Sequence, residues 1–243
     1  MHELAAEQDV LRDLVERAAT FRLLASCFAY PKAGHRSATV AAMRQVSGRA
    51  SLAGVEWNAL LTDWETTGDE PLEQEHMRLF LGSAPCSLHE TAYGDGRRMA
   101  GKPHELSDIR GFYKAFGLTL SETEPSLPDN LATEMEFYSL LLLKQAYAIE
   151  EGWQEQREVT EDAARKFLEQ HLGRWTGTFA AGLVEHDAGA AYRTLGAVVA
   201  AVVAGECARL NVQPELLSGR LSGDVMQEDV LVCPRDEADQ TPD

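Results

Sequence analysis

The sequence predicts an all-α protein, a single-domain helical bundle of about seven to nine helices. Apolar residues recur three and four positions apart through most of the 243 residues, which is the spacing of helices that pack one face on a core. The alternation of apolar and polar residues that is typical of strands is almost absent. One segment, over residues 128–150, is long enough to be a central helix, because roughly 22 residues of helix span about 33 Å.

Four helices are predicted in the first third of the chain, over residues 5–29, 37–46, 57–64 and 70–81. The first ends before Pro31, because a residue that precedes proline is pushed out of the helical conformation. The fourth ends at Gly82, a residue type that commonly follows helices. Its apolar residues Met77, Phe80 and Leu81 are predicted to form the inner face.

Four more helices are predicted in the rest of the chain, over residues 106–116, 128–150, 160–179 and 189–210. The central helix is predicted to take Ser126 as its N-cap, with Pro128 in the first turn and Asp129 at the positive end of the helix dipole. Residues 83–104 form a long irregular stretch, and loops of this length are usually functional or disordered. We therefore expect an all-helical domain over 1–218, followed by an acidic tail over 219–243 that has no helical period and is mobile.

The net charge of −17 excludes some classes of partner. A nucleic-acid-binding protein needs clustered Lys and Arg, and an anionic lipid surface would repel this chain. The longest uncharged apolar run, over residues 196–205, is half of the roughly 20 residues that a membrane span needs, so no stable membrane insertion is expected. The charge either attracts a cationic partner or simply maintains solubility.

The N-terminus and the cysteines predict a cytoplasmic protein. The first residues are acidic and have no basic region followed by an apolar core, so they do not form a secretory signal. The four cysteines are far apart and include no CxxC pair, which is typical of reduced thiols. They are Cys27, Cys86, Cys207 and Cys233.

Motifs of enzymes and of cofactor sites are missing. His76 and His89 lie near Glu90 in sequence, but they have neither the HExxH spacing of a zinc protease nor the paired ExxH motifs of a di-metal bundle. Ser87 has no G-x-S-x-G context, and no P-loop is present. The sequence therefore predicts no catalytic residue, no metal site and no cofactor. A metal-dependent or hydrolytic helical enzyme that uses His76, His89 and nearby acids remains the alternative.

The start of the central helix is rich in carboxylates. Asp129 and Glu136 are seven residues apart, which would place them on one helix face, and Glu134 would lie on a neighbouring face. Such a row can pair with arginines, whose planar guanidinium group favours carboxylates. Phe137 and Tyr138 are adjacent and can accept an apolar stretch. The alternative is that Asp129 compensates the helix dipole and the glutamates lie on a solvated face.

Three segments of the sequence carry motifs that are informative when taken together. The first reads EHMRLFLGSAPCSLHETAY, with motif residues Glu75, Leu79, Phe80, Gly82, Pro85, Ser87, Glu90 and Tyr93. The second reads PDNLATEMEFY, with motif residues Pro128, Asp129, Asn130, Glu134, Glu136 and Phe137. The third comprises Phe167, Leu168, His171, Leu172, Trp175 and Phe179. In this order, over about residues 10–210, they resemble the TorD/DmsD/NarJ family of molybdoenzyme maturation chaperones.

The resemblance implies a TorD-like helical fold and a protein that binds another protein and is not an enzyme. The implied partner is the immature catalytic subunit of a molybdopterin enzyme of the dimethyl sulfoxide reductase type, often through its twin-arginine signal peptide. Some relatives that resemble NarJ bind the mature part of the subunit instead. The implied binding residues are Glu90, Tyr93, Asp129, Asn130, Glu134 and Glu136, with Phe80, Pro85, Ser87, His89 and Phe137 in support.

One position departs from the family pattern. The family motif has histidine where this chain has Asn130. Asparagine keeps the ability to form hydrogen bonds, but it carries no charge near neutral pH. A titrating role at this position is therefore not expected.

Overall fold

A computed structural model describes residues 2–47, 54–82, 85–94, 102–119 and 127–219. Within these ranges the chain forms nine α-helices and no β-strand, which confirms the predicted all-α class. The helices are α1 (His2–Ser26), α2 (His35–Val46), α3 (Trp57–Thr66), α4 (Asp69–Phe80), α5 (Lys102–Ala115), α6 (Leu131–Glu150), α7 (Gln154–Phe167), α8 (Gly173–Glu185) and α9 (Ala190–Arg209). The predicted tail lies outside the described residues except for Gly219.

Helix α6 is the central helix, as its length predicts. It makes its most extensive contacts with α1 and then with α7. Against α1, the rings of Phe21 and Tyr138 are 4.7 Å apart, and the Ser139 hydroxyl donates to the Ala18 carbonyl over 2.8 Å. The second large interface joins α8 to α9, and α3 packs on α9 as well.

A buried ion pair connects the first and last helices. Arg17 on α1 donates from Nε to Glu206 Oε1 on α9 over 2.8 Å, and its second amino group contacts the other carboxylate oxygen. Tyr138 of α6 donates its hydroxyl to Glu206 over 2.8 Å. Both charged side chains are less than a tenth exposed. The carboxylate is thus shared among three helices, which fixes their relative positions.

Helix α9 packs closely against α8 because of its small residues. A Cβ atom added at Gly196 would lie 2.5 Å from Leu183 Cδ1 and 3.4 Å from Ala180 Cα. Among the described helices, α9 alone has the length and apolar character to cross a membrane, but half of its apolar window is buried in the fold. Tyr192, Leu195 and Val199 are core residues.

Some predicted boundaries and faces are wrong. Helix α4 buries Leu72, His76 and Leu79, spaced four and three residues apart, whereas Met77 is 43% exposed and Leu81 is 50% exposed. Helix α7 begins at Gln154, six residues before the predicted start. Its first turns are wholly exposed, so no apolar spacing marks them in the sequence.

Candidate functional site

The first two motif segments meet at the start of α6. The Glu90 amide donates to the Asp129 carbonyl over 2.9 Å, and the Leu131 amide donates to the Leu88 carbonyl over 2.8 Å. His89 and Asn130 form an isolated antiparallel bridge between the two segments. Several polar side chains surround the place where the two segments meet, and we call this group the junction. Its members are Asp129, Glu90, Glu134, His89, Thr91, His171 and Trp175. The fold therefore gathers residues that are separated by up to 86 positions in the sequence.

Asp129 holds in place the loop formed by residues 85–94, which we call the motif loop. Its side chain is fully buried. Oδ2 accepts hydrogen bonds from the Thr91 amide over 3.1 Å and from the Thr91 hydroxyl over 2.6 Å, and Oδ1 lies 3.2 Å from His89 Nδ1. Burial by itself raises the pKa of a carboxylate, but the hydrogen bonds from His89 and Thr91 hold the pKa of Asp129 below its ordinary value. Asp129 is therefore a charged, structural acceptor.

His171 connects the loop to α5. Its Nδ1 lies 3.0 Å from Glu90 Oε2, and its Nε2 lies 3.2 Å from Asp108 Oδ2. Both ring nitrogens of His171 thus lie within hydrogen-bonding distance of a carboxyl oxygen. The ring is 3% exposed and the Glu90 side chain is buried, whereas the side chain of Asp108 is 49% exposed, so the contacts run from the core to the surface.

Glu134 connects α6 to α8. Its Oε2 accepts a hydrogen bond from Trp175 Nε1 over 3.2 Å. Burial, followed by repulsion from Glu90 and then Asp129, raises the pKa of Glu134 well above its ordinary value, and the Trp175 hydrogen bond only partly opposes this. Glu134 is fully buried, so the alternative that it lies on a solvated face is wrong.

Tyr93 closes the loop. It is 3% exposed, its hydroxyl donates to the Ser87 carbonyl over 2.7 Å, and its ring centroid lies 5.2 Å from that of Trp175. The next amide, of Gly94, donates to the carbonyls of Ser218 and Gly219. The last described residues of the chain are thereby held against the motif loop.

The predicted row of carboxylates does not form. Asn130 is the N-cap of α6, because its Oδ1 accepts from the Ala132 amide over 3.0 Å; the predicted cap, Ser126, lies outside the described residues. Asp129 therefore precedes the helix and points inward, whereas Glu136 is exposed. The two carboxylates do not share a helix face.

The supporting motif residues occupy two different places. Phe137 is buried, with its ring 4.8 Å from those of Tyr113 and Phe167. Phe80 belongs instead to an aromatic cluster with Tyr192, 5.1 Å away. Pro85, Ser87 and His89 are partly exposed along the loop.

The residues of the enzyme alternative are not combined into one site. His76 is buried among the rings of Tyr30, Phe80 and Tyr192, and burial, with a smaller contribution from His35, lowers its pKa to about 4. His89 instead faces Asp129. Among the described residues, no three His, Cys, Asp or Glu side chains are placed to hold a metal ion.

Sequence reasoning missed four members of this arrangement. Thr91 and Asp108 carry no motif signal. His171 and Trp175 stand in the third motif, but no role was predicted for either. Their spacing of four residues, which places them on one helix face, was the available signal.

Comparison with known proteins agrees with the motifs. The family model described as nitrate reductase delta subunit matches residues 47–181, more than half of the chain. A chlorate reductase assembly chaperone protein from Ideonella dechloratans is 32% identical over 151 residues, which are 61% of this chain and 75% of the relative. A selenate reductase assembly chaperone protein from Thauera selenatis is 34% identical over 151 residues, which are 60% of this chain and 75% of the relative.

A third relative is a perchlorate reductase assembly chaperone protein from Dechloromonas aromatica, 36% identical over 110 residues, which are 45% of this chain and 48% of the relative. All three relatives are named as assembly chaperones and not as enzymes, which confirms the expectation that the chain is not an enzyme. The match also confirms the resemblance to redox-enzyme maturation chaperones. The chain belongs to the nitrate reductase delta subunit family.

Proposed function

We propose that the protein is a cytoplasmic chaperone that binds the immature catalytic subunit of a molybdopterin oxidoreductase of the dimethyl sulfoxide reductase type. It assists cofactor insertion and assembly before export. One observation carries the proposal: three motif segments, far apart in sequence, converge on a single junction in a chain whose relatives are named as reductase assembly chaperones.

We propose two roles for the residues in and beside the junction: some hold the motif loop in place, and others contact the client. Glu90, Asp129 and Glu134 are fully buried and hold the loop against α6 and α8. His89, with 35% of its side chain exposed, and Glu136 lie at the surface next to them. We propose that these exposed residues, together with the half-buried Asn130, touch the client, and that the buried carboxyl groups keep the loop in shape.

Where the client carries a twin-arginine signal peptide, we propose that the same surface binds it. Glu136 supplies an exposed carboxylate for a guanidinium group. Leu127, half exposed and four residues before α6 begins, supplies apolar area for the adjoining stretch of the peptide. The net charge of −17 favours the encounter with a cationic segment.

Affinity purification of the tagged protein from its own host tests the function. In cells that are making molybdoenzymes, we expect a molybdopterin-binding catalytic subunit to co-purify, and mass spectrometry would identify it. The subunit should be enriched in its cofactor-free form when molybdate is withheld. Recovery of no such subunit from these cells would contradict the proposal.

Peptide titration then tests the contact residues. A peptide with two arginines and an apolar stretch should bind more tightly than its Lys-Lys counterpart. Glu136→Gln should weaken binding several-fold, which corresponds to about 1 kcal/mol, the upper range for an exposed ion pair. Glu185→Gln, at an exposed position on α8, is the matched control. If the intact subunit binds but the peptide does not, the chaperone recognises the mature part of its client.

A further inference from the structure

The last described residues of the chain run along the start of α8 and end at the motif loop. Residues 212–219 come after α9 and form no helix or strand, and we call them the C-terminal strap. Val212 and Leu217 are buried, whereas Leu216, next to Leu217, is 72% exposed. The strap is therefore attached to the fold through two apolar side chains.

The first half of the strap packs on the first turn of α8. A Cβ atom added at Gly173 would lie 2.7 Å from Pro214 Cγ, so the missing side chain lets the strap approach the helix. Arg174 donates from Nε to the Glu215 carbonyl over 3.2 Å. The same turn of α8 carries Trp175, so the strap lies on the helix that brings the indole to the junction.

Leu217 is the residue of the strap that α8 holds most completely. Its amide donates to the Arg174 carbonyl over 2.9 Å, and its carbonyl accepts a hydrogen bond from the Thr178 hydroxyl over 2.5 Å. Its side chain belongs to the main apolar core. Both backbone polar groups and the side chain of Leu217 are thus bound, so α8 determines where the strap ends.

The end of the strap binds the end of the motif loop. The Gly94 amide donates to the Ser218 carbonyl over 2.9 Å and to the Gly219 carbonyl over 3.0 Å. One residue earlier, the ring of Tyr93 packs on Trp175 of α8. The end of the motif loop is therefore attached to α8 twice, directly through Tyr93 and indirectly through the strap.

The junction and the strap hold different parts of the motif loop. Asp129 accepts hydrogen bonds from the Thr91 amide and hydroxyl and faces His89, in the middle of the loop. The strap binds Gly94, three residues beyond Thr91. The conformation of the loop thus depends on attachments at both places, and the second attachment comes from the C-terminal part of the chain.

We propose that the C-terminal strap positions the motif loop for client binding, and that Leu217 is the positioning residue. The inference rests on the proposed function, in which His89 of the motif loop touches the client. A loop that is already held in its binding conformation loses less conformational entropy when the client binds. When the strap detaches, the loop is competent for a smaller fraction of the time, and the apparent affinity for the client falls by that fraction.

Two aspartate variants of the full-length protein test the role of Leu217. Leu217→Asp places a charge at a buried position, where an unpaired charge is costly, so it should release the strap from α8. Leu216→Asp adds the same charge at the neighbouring exposed residue and is the matched control. Leu217→Met keeps an apolar side chain of similar volume and should behave like the wild-type protein.

Association kinetics with the client give the decisive measurement. The probe is the catalytic subunit that co-purifies with the wild-type protein, immobilised for surface plasmon resonance, at a temperature where circular dichroism shows every variant folded. We expect Leu217→Asp to slow association about tenfold and to leave dissociation nearly unchanged, because only the competent fraction of the loop falls. A general loss of stability in a protein that is still folded would change neither rate.

Hydrogen exchange tests the same inference without a client. In Leu217→Asp the Gly94 amide should exchange faster than in the wild-type protein, because it loses both acceptors on the strap. The amides of the central helix α6 should keep their protection. Leu216→Asp should leave the exchange of the Gly94 amide unchanged.

A milder variant keeps the test decisive where Leu217→Asp does not fold. Thr178→Val removes the hydroxyl that binds the Leu217 carbonyl and leaves the side chain of Leu217 in place. We expect it to slow association in the same direction but less, by about twofold. Association at the wild-type rate in Thr178→Val, together with unchanged exchange of the Gly94 amide, would overturn the proposal.

Two further results would also overturn it. One is wild-type association in a folded Leu217→Asp, which would show that client binding does not depend on the strap. The other is equal slowing in Leu216→Asp, which would show an effect of added charge and not of detachment. Failure of the proposed function is a different result, because the wild-type protein itself would then not bind the subunit.

Discussion

The indole of Trp175 donates a hydrogen bond to the buried carboxyl group of Glu134 over 3.2 Å, and this contact joins α8 to the first turns of α6. The indole satisfies one oxygen of a group whose pKa is raised well above its ordinary value by burial and by the neighbouring carboxylates. The contact thus lies where two motif segments of the chain meet, and its dependence on protonation can be measured.

We expect Glu134→Gln to make the free energy of unfolding depend less on pH. Since the pKa of Glu134 is raised above 4.5 in the folded protein, the folded state keeps a proton that the unfolded chain releases. The free energy of unfolding therefore falls as pH rises above 4.5. The total fall is about 1.4 kcal/mol for each unit by which the pKa of Glu134 in the folded protein exceeds its pKa in the unfolded chain. Glutamine stays neutral and removes that loss.

Urea unfolding between about pH 5 and pH 8, the range in which proteins tend to be most stable, measures this. Glu136→Gln is the control, because it removes an exposed carboxylate two residues away on the same helix. Parallel curves for the wild-type protein and Glu134→Gln would show that Glu134 is ionised when folded.

His76 should give the opposite slope at lower pH. Its pKa is lowered from 6.5 to about 4 in the fold, so the unfolded chain binds the proton more readily. Stability is complete above the unfolded pKa and is lost as pH falls through this window, by up to about 3 kcal/mol in total. His76→Phe should remove this loss, measured by denaturant unfolding at several pH values. His186→Phe, at an exposed position, should leave it unchanged.

Loss of the buried arginine should be costly. Arg17→Met leaves Glu206 buried without its guanidinium partner, and we expect a loss of about 3–5 kcal/mol in the free energy of unfolding. Arg17→Met combined with Glu206→Leu should recover much of this, because both charges are then absent. Arg12→Met, on the same helix but in an exposed pair, should change stability by less than about 1 kcal/mol. Similar losses for Arg12 and Arg17 would refute the contribution of burial.

Two glycines of α8 should respond in opposite directions to alanine. A Cβ atom at Gly173 would lie 2.4 Å from the Leu168 carbonyl oxygen, 2.7 Å from Pro214 Cγ and 3.1 Å from Cys207 Sγ, so we expect Gly173→Ala to cost about 1–3 kcal/mol. At Gly177 a Cβ atom meets nothing within 4 Å, and Gly177→Ala should stabilise the helix by about 0.5–1 kcal/mol. Thermal unfolding compares the two; a stabilising Gly173→Ala would contradict the close packing.

Most helices of this protein can be predicted from the sequence, and the boundaries that were predicted wrongly have physical causes. Helix α6 ends at Glu150 as predicted, because Gly152 follows with a positive φ of 68°. Its start was misplaced, since the choice of Asn130 as the cap depends on Asp129 turning away to bind Thr91 in a distant loop. Local cap preferences contain no information about that loop.

Some members of the candidate site were predicted from the sequence, but Thr91, Asp108, His171 and Trp175 were not, and neither was the geometry. The spacing of Leu131, Glu134 and Tyr138 places Glu134 on the buried stripe of α6, yet a carboxylate in a core is costly unless another group compensates it. The compensating hydrogen bond from Trp175 and the raised pKa of Glu134 both come from tertiary structure. The sequence alone therefore placed Glu134 either in a binding row of carboxylates or on a solvated face, and in neither case in the core.

The π-helical turn at Leu168–Leu172, between α7 and α8, has a consequence for evolution and for alignment. Such turns correspond to one inserted residue in an α-helix, and each residue of an α-helix turns the chain by about 100°. A homologue without that residue would present its Trp175 equivalent away from the Glu134 equivalent unless α8 rotated as a body. Alignments that open a one-residue gap here would therefore mark the lineages in which the indole–carboxyl contact was gained or lost.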